Sequence, residues 1–362
     1  MDRRTLVRIL LPLGAISALL VTALSASPAI AGVANAGVPG ASARNPLVGL
    51  PWGNYSGERD EVFPAYRSSS GKQRALLAKI ALRPRVRWFG AWYSAGQVRQ
   101  IVNEYLGNVT GGNPNVLAQM AVFRLDPWEA QACSQLPSSG QQASYRHWID
   151  NFAAAVGSAR VALILQPDLP EALCAPHHSQ LPLQLVNYAA QRFSALPHTT
   201  VYIDVGAGDW PTVGQAVHLL TAAGVQYTRG FALNATHYDS TERELRYGQK
   251  VVKALARHHI GGRHFVINTA QNGRGFTYHQ YHGHNYDNAK VCRSRSSRRC
   301  VTLGIPPTTN VASRRWHLSR KGRSIARRLV DAYLWIGRPW LENQSDPFLL
   351  KRALALARTT PF

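Results

Sequence analysis

Short apolar runs bounded by polar or turn-forming residues alternate along this chain with longer stretches in which apolar positions recur every three or four residues. The first kind reads as strands buried on both faces, the second as helices with one buried stripe. Strands are expected at residues 86–90, 116–125, 161–165, 200–205, 230–233, 265–268 and 332–336, and helices at 72–82, 95–105, 145–156, 183–193, 212–223, 242–258 and 347–357. In the 145–156 stretch, for example, Trp148, Ile149, Phe152, Ala153 and Val156 fall on one helical face. Regular alternation of the two patterns implies a parallel sheet covered by helices, and about seven such units favour an α/β barrel over an open sheet. Residues 273–328 break the rhythm, as expected of a functional loop or a disordered stretch.

The amino terminus has a separate character. Asp2, Arg3, Arg4 and Arg8 precede an apolar run over residues 9–24 and small residues ending Ala29-Ile30-Ala31. This is the layout of a secretory signal peptide over residues 1–31, cleaved after Ala31. A membrane anchor needs roughly 20 apolar residues, and no later stretch is apolar enough. The expectation is an exported, extracellular monomer without a membrane anchor, with a flexible lead-in over 32–44 and one ordered domain over 45–362.

Charge then narrows the partners. The chain carries 41 Lys and Arg against 19 Asp and Glu, a formal charge of +22. Removing the peptide's three arginines and one aspartate leaves +20 on 331 residues. Such an excess suits anionic cell-wall polymers or an acid-exposed surface. No nucleic-acid partner is expected, because no zinc-ligand spacing, RNA-binding aromatic motif or heptad accompanies the charge. Cys133, Cys174, Cys292 and Cys300 are an even set in an exported chain, which favours two disulfides. Cys133 with Cys174 and Cys292 with Cys300 is the expected pairing, although four cysteines allow three connectivities.

Candidate chemistry centres on Asp168. The apolar run 161–165 ends at Gln166-Pro167-Asp168, and in an α/β barrel the carboxyl end of a strand is where reacting groups sit. By residue type and position, Asp168 is either a catalytic acid or the cap of a following helix. His279, His282 and His284 lie among Tyr278, Tyr281 and Tyr286, but no acidic or cysteine partner stands at ligand spacing, so neither a metal nor a cofactor is expected. The arginines of 293–328 read as a solvated face, or as a grip on acidic glycans.

The sequence resembles glycoside hydrolase family 6, the inverting cellulases, over nearly the whole expected domain. The resemblance rests on Trp88-Phe89-Gly90, Ser139-Gly140 with residues 145–150, Pro167-Asp168-Leu169, Tyr202-Ile203-Asp204-Val205-Gly206 with Trp210, Gly230 to Asn234 with Tyr238, residues 272–275, 304–310 and 331–336, all in order. It implies a distorted seven-stranded parallel β/α barrel with loops around a cleft. It also implies that Asp168 protonates the departing glycosidic oxygen, and that the substrate is a β-1,4-glucan polymer or oligosaccharide. Trp88, Trp210, Asn234, Asn343 and Ser139 fall on substrate-binding positions. Trp340, Trp128, Tyr278 and Tyr281 are further candidates for a reshaped cleft.

The chain also departs from the family pattern. The family glutamate two residues before the acid is Gln166, and the strand-end tyrosine is Phe123. The aspartate that precedes the first cysteine is Ala132, so Glu129 or Asp126 is expected to supply the second carboxylate. In the last loop the family lysine, glutamate and base aspartate are Gly337, Leu341 and Asn343. An amide such as Asn343 cannot accept a proton as a carboxylate does. The family histidine is Ala207, and its Asp-x-x-Arg pair is Asn268 with Gln271. The expected function is inverting hydrolysis of cellulose or a related β-glucan. The alternative is a catalytically impaired family member that binds extracellular glycan.

Overall fold

The computed structural model describes residues 44–128 and 131–362, so the expected signal peptide, nearly all of the lead-in and Glu129 lie outside the described residues. In chain order the elements are α1 (Phe63–Ser68), α2 (Gly71–Ala81), β1 (Arg87–Gly90), α3 (Ala95–Thr110), β2 (Ala118–Phe123), α4 (Ser139–Val156), β3 (Val161–Leu165), α5 (Leu181–Ser194) and β4 (Thr199–Asp204). There follow α6 (Val213–Ala222), β5 (Gly230–Leu233), α7 (Thr241–Arg257), β6 (His264–Asn268), α8 (Arg320–Leu329), β7 (Val330–Leu334) and α9 (Leu350–Thr359).

The strands pair in sequence order, β1 through β7, and every pair is parallel. The sheet curls until its edges meet. Val86 N–H donates to Trp335 O at 2.9 Å and Trp88 Nε1 to Ile336 O at 2.8 Å, which links β7 back to β1 without a ladder. The result is an α/β barrel, as the alternation anticipated, in the distorted seven-stranded form that the family resemblance implied. Successive strand residues sort to opposite faces. Leu163 and Leu165 join Phe89, Met120 and Val122 in the layer under the helices, whereas Ala162 and Ile164 join Ala121, Tyr202, Ala232, Val266 and Ala332 inside the barrel. Four alanines in that inner set let a narrow ring close. At Gly230, a β-carbon would stand 1.8 Å from His264 O, so only glycine lets β5 lie this close to β6.

The amino-terminal end of the barrel is fastened by a buried ion cluster. Asp331 accepts from Arg229 Nε at 2.8 Å and Nη2 at 3.0 Å, from Tyr202 Oη at 2.7 Å, and lies 3.3 Å from His264 Nδ1. Burial alone would raise the Asp331 carboxyl, but His264 and Arg229 outweigh it and hold the group below its ordinary range.

Helix starts follow local polar chemistry that apolar spacing does not reveal. Ser94 with Gln97, Ser138 with Gln141 and Thr212 with Gln215 form reciprocal capping boxes. The second of these starts α4 at Ser139, six residues before the first apolar position of its stripe. Within 273–328 the structure corrects the expectation of an irregular stretch, because α8 closes it. That helix buries only Gly322, Ile325 and Ala326, too narrow a stripe to stand out among its arginines. Among the described residues, no helix is long and apolar enough to cross a membrane.

Candidate active site

A cleft of about 890 Å³ opens over the carboxyl ends of the strands. Asp168, Glu171, Asp209, Trp210, Thr236, His237 and Asp287 line it, together with Trp88, Trp92, Phe123, Tyr278, Arg338 and Asn343. Loops after β1 through β7 therefore converge here, as expected for the carboxyl face of a barrel.

Asp168 follows β3 in a left-handed conformation, φ 62°, close behind Gln166 at φ 54°. Its side chain makes no capping hydrogen bond to the 3₁₀ turn at Leu169–Cys174, which removes the cap alternative. The carboxylate instead accepts from the Thr236 hydroxyl, and burial pushes its pKa up to about 6 against the opposing effects of Thr236 and His237. Gln166, fully buried, accepts from the backbone N–H groups of Arg124 and Leu125 at 3.3 and 3.2 Å, so the amide ties the end of β2 to the end of β3.

Below Asp168 lies a second carboxyl that sequence reading passed over as part of a scaffold block. Asp204 Oδ1 accepts from the N–H groups of Asp168 at 3.1 Å and Gly206 at 2.9 Å, while its buried Oδ2 has no partner. Burial, then the charge of Asp168, raise it well above the usual carboxyl range. Asp168 thus ionises first, over a neighbour that keeps its proton.

On the far side, His237 Nδ1 meets Asp209 Oδ1 at 2.9 Å, and Asp209 Oδ2 accepts from Tyr278 N–H at 2.6 Å. Burial would raise Asp209, but the hydrogen bond and charge of His237 and the Tyr278 N–H overcome it and lower the group. The imidazole lies flat on Trp210, centroids 4.9 Å apart at 12°. The loop that carries Thr236 and His237 is held by amides. Gln271 Nε2 donates to Thr236 O and His237 O at 2.9 and 2.8 Å, and Asn268 Nδ2 to Asn234 O and Ala235 O at 2.8 and 3.1 Å. Asn343 lines the cleft and accepts from Asn285 Nδ2 at 2.9 Å, which ties its loop to the one bearing Asp287. Among the described residues the Asp287 carboxylate has no hydrogen-bond partner, and burial raises it against the lowering effect of His237.

Other expected site residues are not brought to the cleft. Asp126 is paired with Arg124 and is absent from the lining. Asn234 is fully buried, where its amide bridges Asp239 O and Asn268 O. Trp340 packs in the core against Trp335, 1% exposed, because β7 ends before it and the chain turns inward. Ser139 is the exposed first residue of α4. Trp128 packs edge-on to Phe123, and Tyr281 lies on Phe276. Cys133–Cys174 and Cys292–Cys300 are both closed, as expected, and the first brings its strand-end loop to the cleft rim. The one group of potential metal-binding side chains among the described residues, Glu171 with Cys133 and Cys174, includes that disulfide and so lacks free thiolates.

A curled parallel barrel with carboxylates lining a cleft over its strand ends is an α/β barrel with its candidate site at the carboxyl face. The chain belongs to the glycosyl hydrolases family 6, whose family model matches residues 51–341. It is 32% identical to endoglucanase A of Cellulomonas fimi over 227 residues, which cover 62% of this chain and 47% of that protein. With endoglucanase 1 of Streptomyces halstedii the identity is 27% over 59% of this chain and 66% of the relative. The chain thus spans about half to two thirds of the length of these relatives. Among solved structures, the endoglucanase Cel6 from Mycobacterium tuberculosis, in complex with a methyl-cellobiosyl-thio-cellobioside, superposes with TM-score 0.70 at 26% identity, covering 87% of this chain and 99% of that one. The Orpinomyces family 6 enzyme shares the fold at TM-score 0.66 and 18% identity, over 88% of this chain and 99% of its own.

Proposed function

We propose that this chain is an exported hydrolase that cleaves β-1,4-glucosidic bonds of cellulose or a related β-glucan with inversion, Asp168 acting as general acid. The observation that carries this reading is the Asp168 carboxyl, held by Thr236 at an open cleft with its pKa pushed up to about 6. A carboxyl of that kind keeps its proton into mildly acidic solution and can give it to the departing oxygen. The names of the relatives, endoglucanases, support the substrate class.

Inversion also needs a base for the attacking water. Asp287 suits this role, since its carboxylate faces the cleft without a hydrogen-bond partner among the described residues. Water gives one proton to Asp287 as its oxygen bonds to the anomeric carbon. The bond from that carbon to the glycosidic oxygen breaks, and the oxygen leaves with the proton of Asp168. The test is release of reducing ends from cellulose and mixed-linkage glucan, with the anomer of the fresh product read by NMR. Equal activity in Asp168→Asn sinks the acid assignment, and a retained β-anomer sinks inversion.

Export is supported by the first 31 residues, and its test is amino-terminal sequencing of protein from culture medium, with Gly32 expected first. The arginines of 293–328 suit attachment to anionic wall polymers, which predicts release from isolated walls by salt.

A further inference from the structure

The two tryptophans expected to carry sugar rings both line the cleft, but another side chain lies on a face of each. Arg338 lies with its guanidinium 4.7 Å from the centre of Trp88, whose indole is 8% exposed and whose Nε1 is spent on Ile336 O. His237 covers a face of Trp210 in a near-parallel stack. Both indoles thus serve as backing for cationic or polar side chains.

Two other cleft aromatics have the opposite character. Trp92 is 51% exposed and Tyr278 is 55% exposed. Neither hangs loose. Trp92 lies over Gly90, where a β-carbon would come within 2.4 Å of its ring, and its ring centroid is 6.5 Å from that of Phe123. Tyr278 is pinned by its own N–H on Asp209 Oδ2 at 2.6 Å and by an edge contact of its ring with Tyr286, centroids 5.0 Å apart. A large apolar ring that is exposed yet held in place can bind a ligand without losing further side-chain freedom.

Their positions relative to the acid give them a task. Trp92 rests over the ends of β1 and β2, and Tyr278 is anchored to the loop after β4, so Asp168, after β3, stands between them along the sheet order. We infer that Trp92 and Tyr278 are the two stacking platforms of this cleft, one for the glycan segment on each side of the bond to be cut. The ligand class is a chain of equatorially linked neutral hexopyranoses, whose axial C–H faces lie on an aromatic ring while their hydroxyls point outward. With a platform on either side of Asp168, such a chain lies across the cleft with the bond to be cut beside the acid. This assignment rests on the β-glucan reading above.

The test is binding of cellohexaose, by titration calorimetry, to the chain carrying Asp168→Asn so that the ligand survives. Trp92→Ala and Tyr278→Ala are each expected to weaken binding about tenfold, Trp92→Phe and Tyr278→Phe to keep most of it, and Trp88→Ala to lose less than Trp92→Ala. Unchanged circular dichroism and thermal midpoint show that the loss is local, as these exposed rings predict. If the Asp168→Asn parent binds cellohexaose and both alanine variants bind equally well, the platform assignment is overturned while the glucan reading stands. If Trp88→Ala costs more than Trp92→Ala, the platform has stayed at Trp88 and the assignment is again overturned. If the parent binds no cello-oligosaccharide, the substrate reading falls and this assignment falls with it.

Discussion

The two ends of the barrel solve the same problem, buried carboxylates, in opposite ways. At the floor, Asp331 has its oxygens occupied by Arg229, Tyr202 and His264, and its pKa is lowered. At the mouth, Asp204 and Glu244 are fully buried, each leaves one carboxyl oxygen without a partner, and burial raises both well above the ordinary range. A paired and hydrogen-bonded charge holds strands together, while an unpaired buried carboxyl is kept neutral and is poised for proton chemistry. The floor is built for stability, and the mouth keeps Asp204 and Glu244 protonated at some expense to it.

The contrast has a sign in pH. Asp331, depressed in the fold, contributes stability above its unfolded pKa and loses it as pH falls through the folded one. Asp204, Glu244 and Asp168 are raised, so the folded chain binds more protons than the unfolded chain, and stability falls as pH rises from the ordinary carboxyl range through their folded values.

Breaking the floor should have the largest effect. Asp331→Asn removes the carboxylate charge that faces the buried Arg229 guanidinium and is expected to cost about 3–5 kcal/mol in urea unfolding. A loss under about 1 kcal/mol would mean that the cluster is not what fastens that end. Next comes Asp168→Asn, expected to lower glucan hydrolysis about 100-fold or more with little change in the unfolding midpoint. In the parent, activity should decline as pH rises past about 6, because Asp168 loses its proton there. A profile flat to pH 8 would contradict the raised acid. Asp287→Asn should lower turnover by about tenfold or more at unchanged affinity for cellohexaose, and added azide should restore part of the rate by replacing the attacking water. No effect on turnover would remove Asp287 as the base. The smallest change is Glu244→Gln, which removes a titrating group whose Oε1 accepts Gly208 N–H at 2.9 Å. It should raise the thermal midpoint by a few degrees at pH 8, where the carboxyl is under pressure to ionise, and not at pH 4. A higher midpoint at pH 4 alone would reverse the sign argued for the mouth.

Much of the scaffold was legible because it rests on local patterns. The apolar run 161–165 became β3 with the same bounds, since a strand buried on both faces leaves no polar position to blur its ends. Where apolar spacing was thin, as in α8, or where a helix opened on a polar capping box, as in α4, the boundaries slipped. The candidate site was legible in part. Asp168 stood out because a proline and a strand end precede it, whereas Asp209, His237 and Asp287 are separated by up to 78 positions and carry no motif in common. The Asp239-Ser240-Thr241-Glu242 run and the charged helix that carries Glu244 gave no hint of burial either. In the loop after β7, the amide at Asn343 read as a loss of function, yet it ties that loop to Asn285, and the neighbouring Gln344 ties it to Thr236 O.

By itself, then, the sequence determined the order of strands and helices, the strand end that carries Asp168, and the family to which these blocks belong, because each is written within a few neighbouring residues. Only the tertiary structure decided which aromatics are covered and which stand free, which carboxyls are paired and which keep a proton, and that Trp340 and Asn234 belong to the core. Those properties depend on what the folded chain brings to within a few ångströms from distant positions, since burial and charge pairing fix exposure and pKa, and neither exists until the barrel closes.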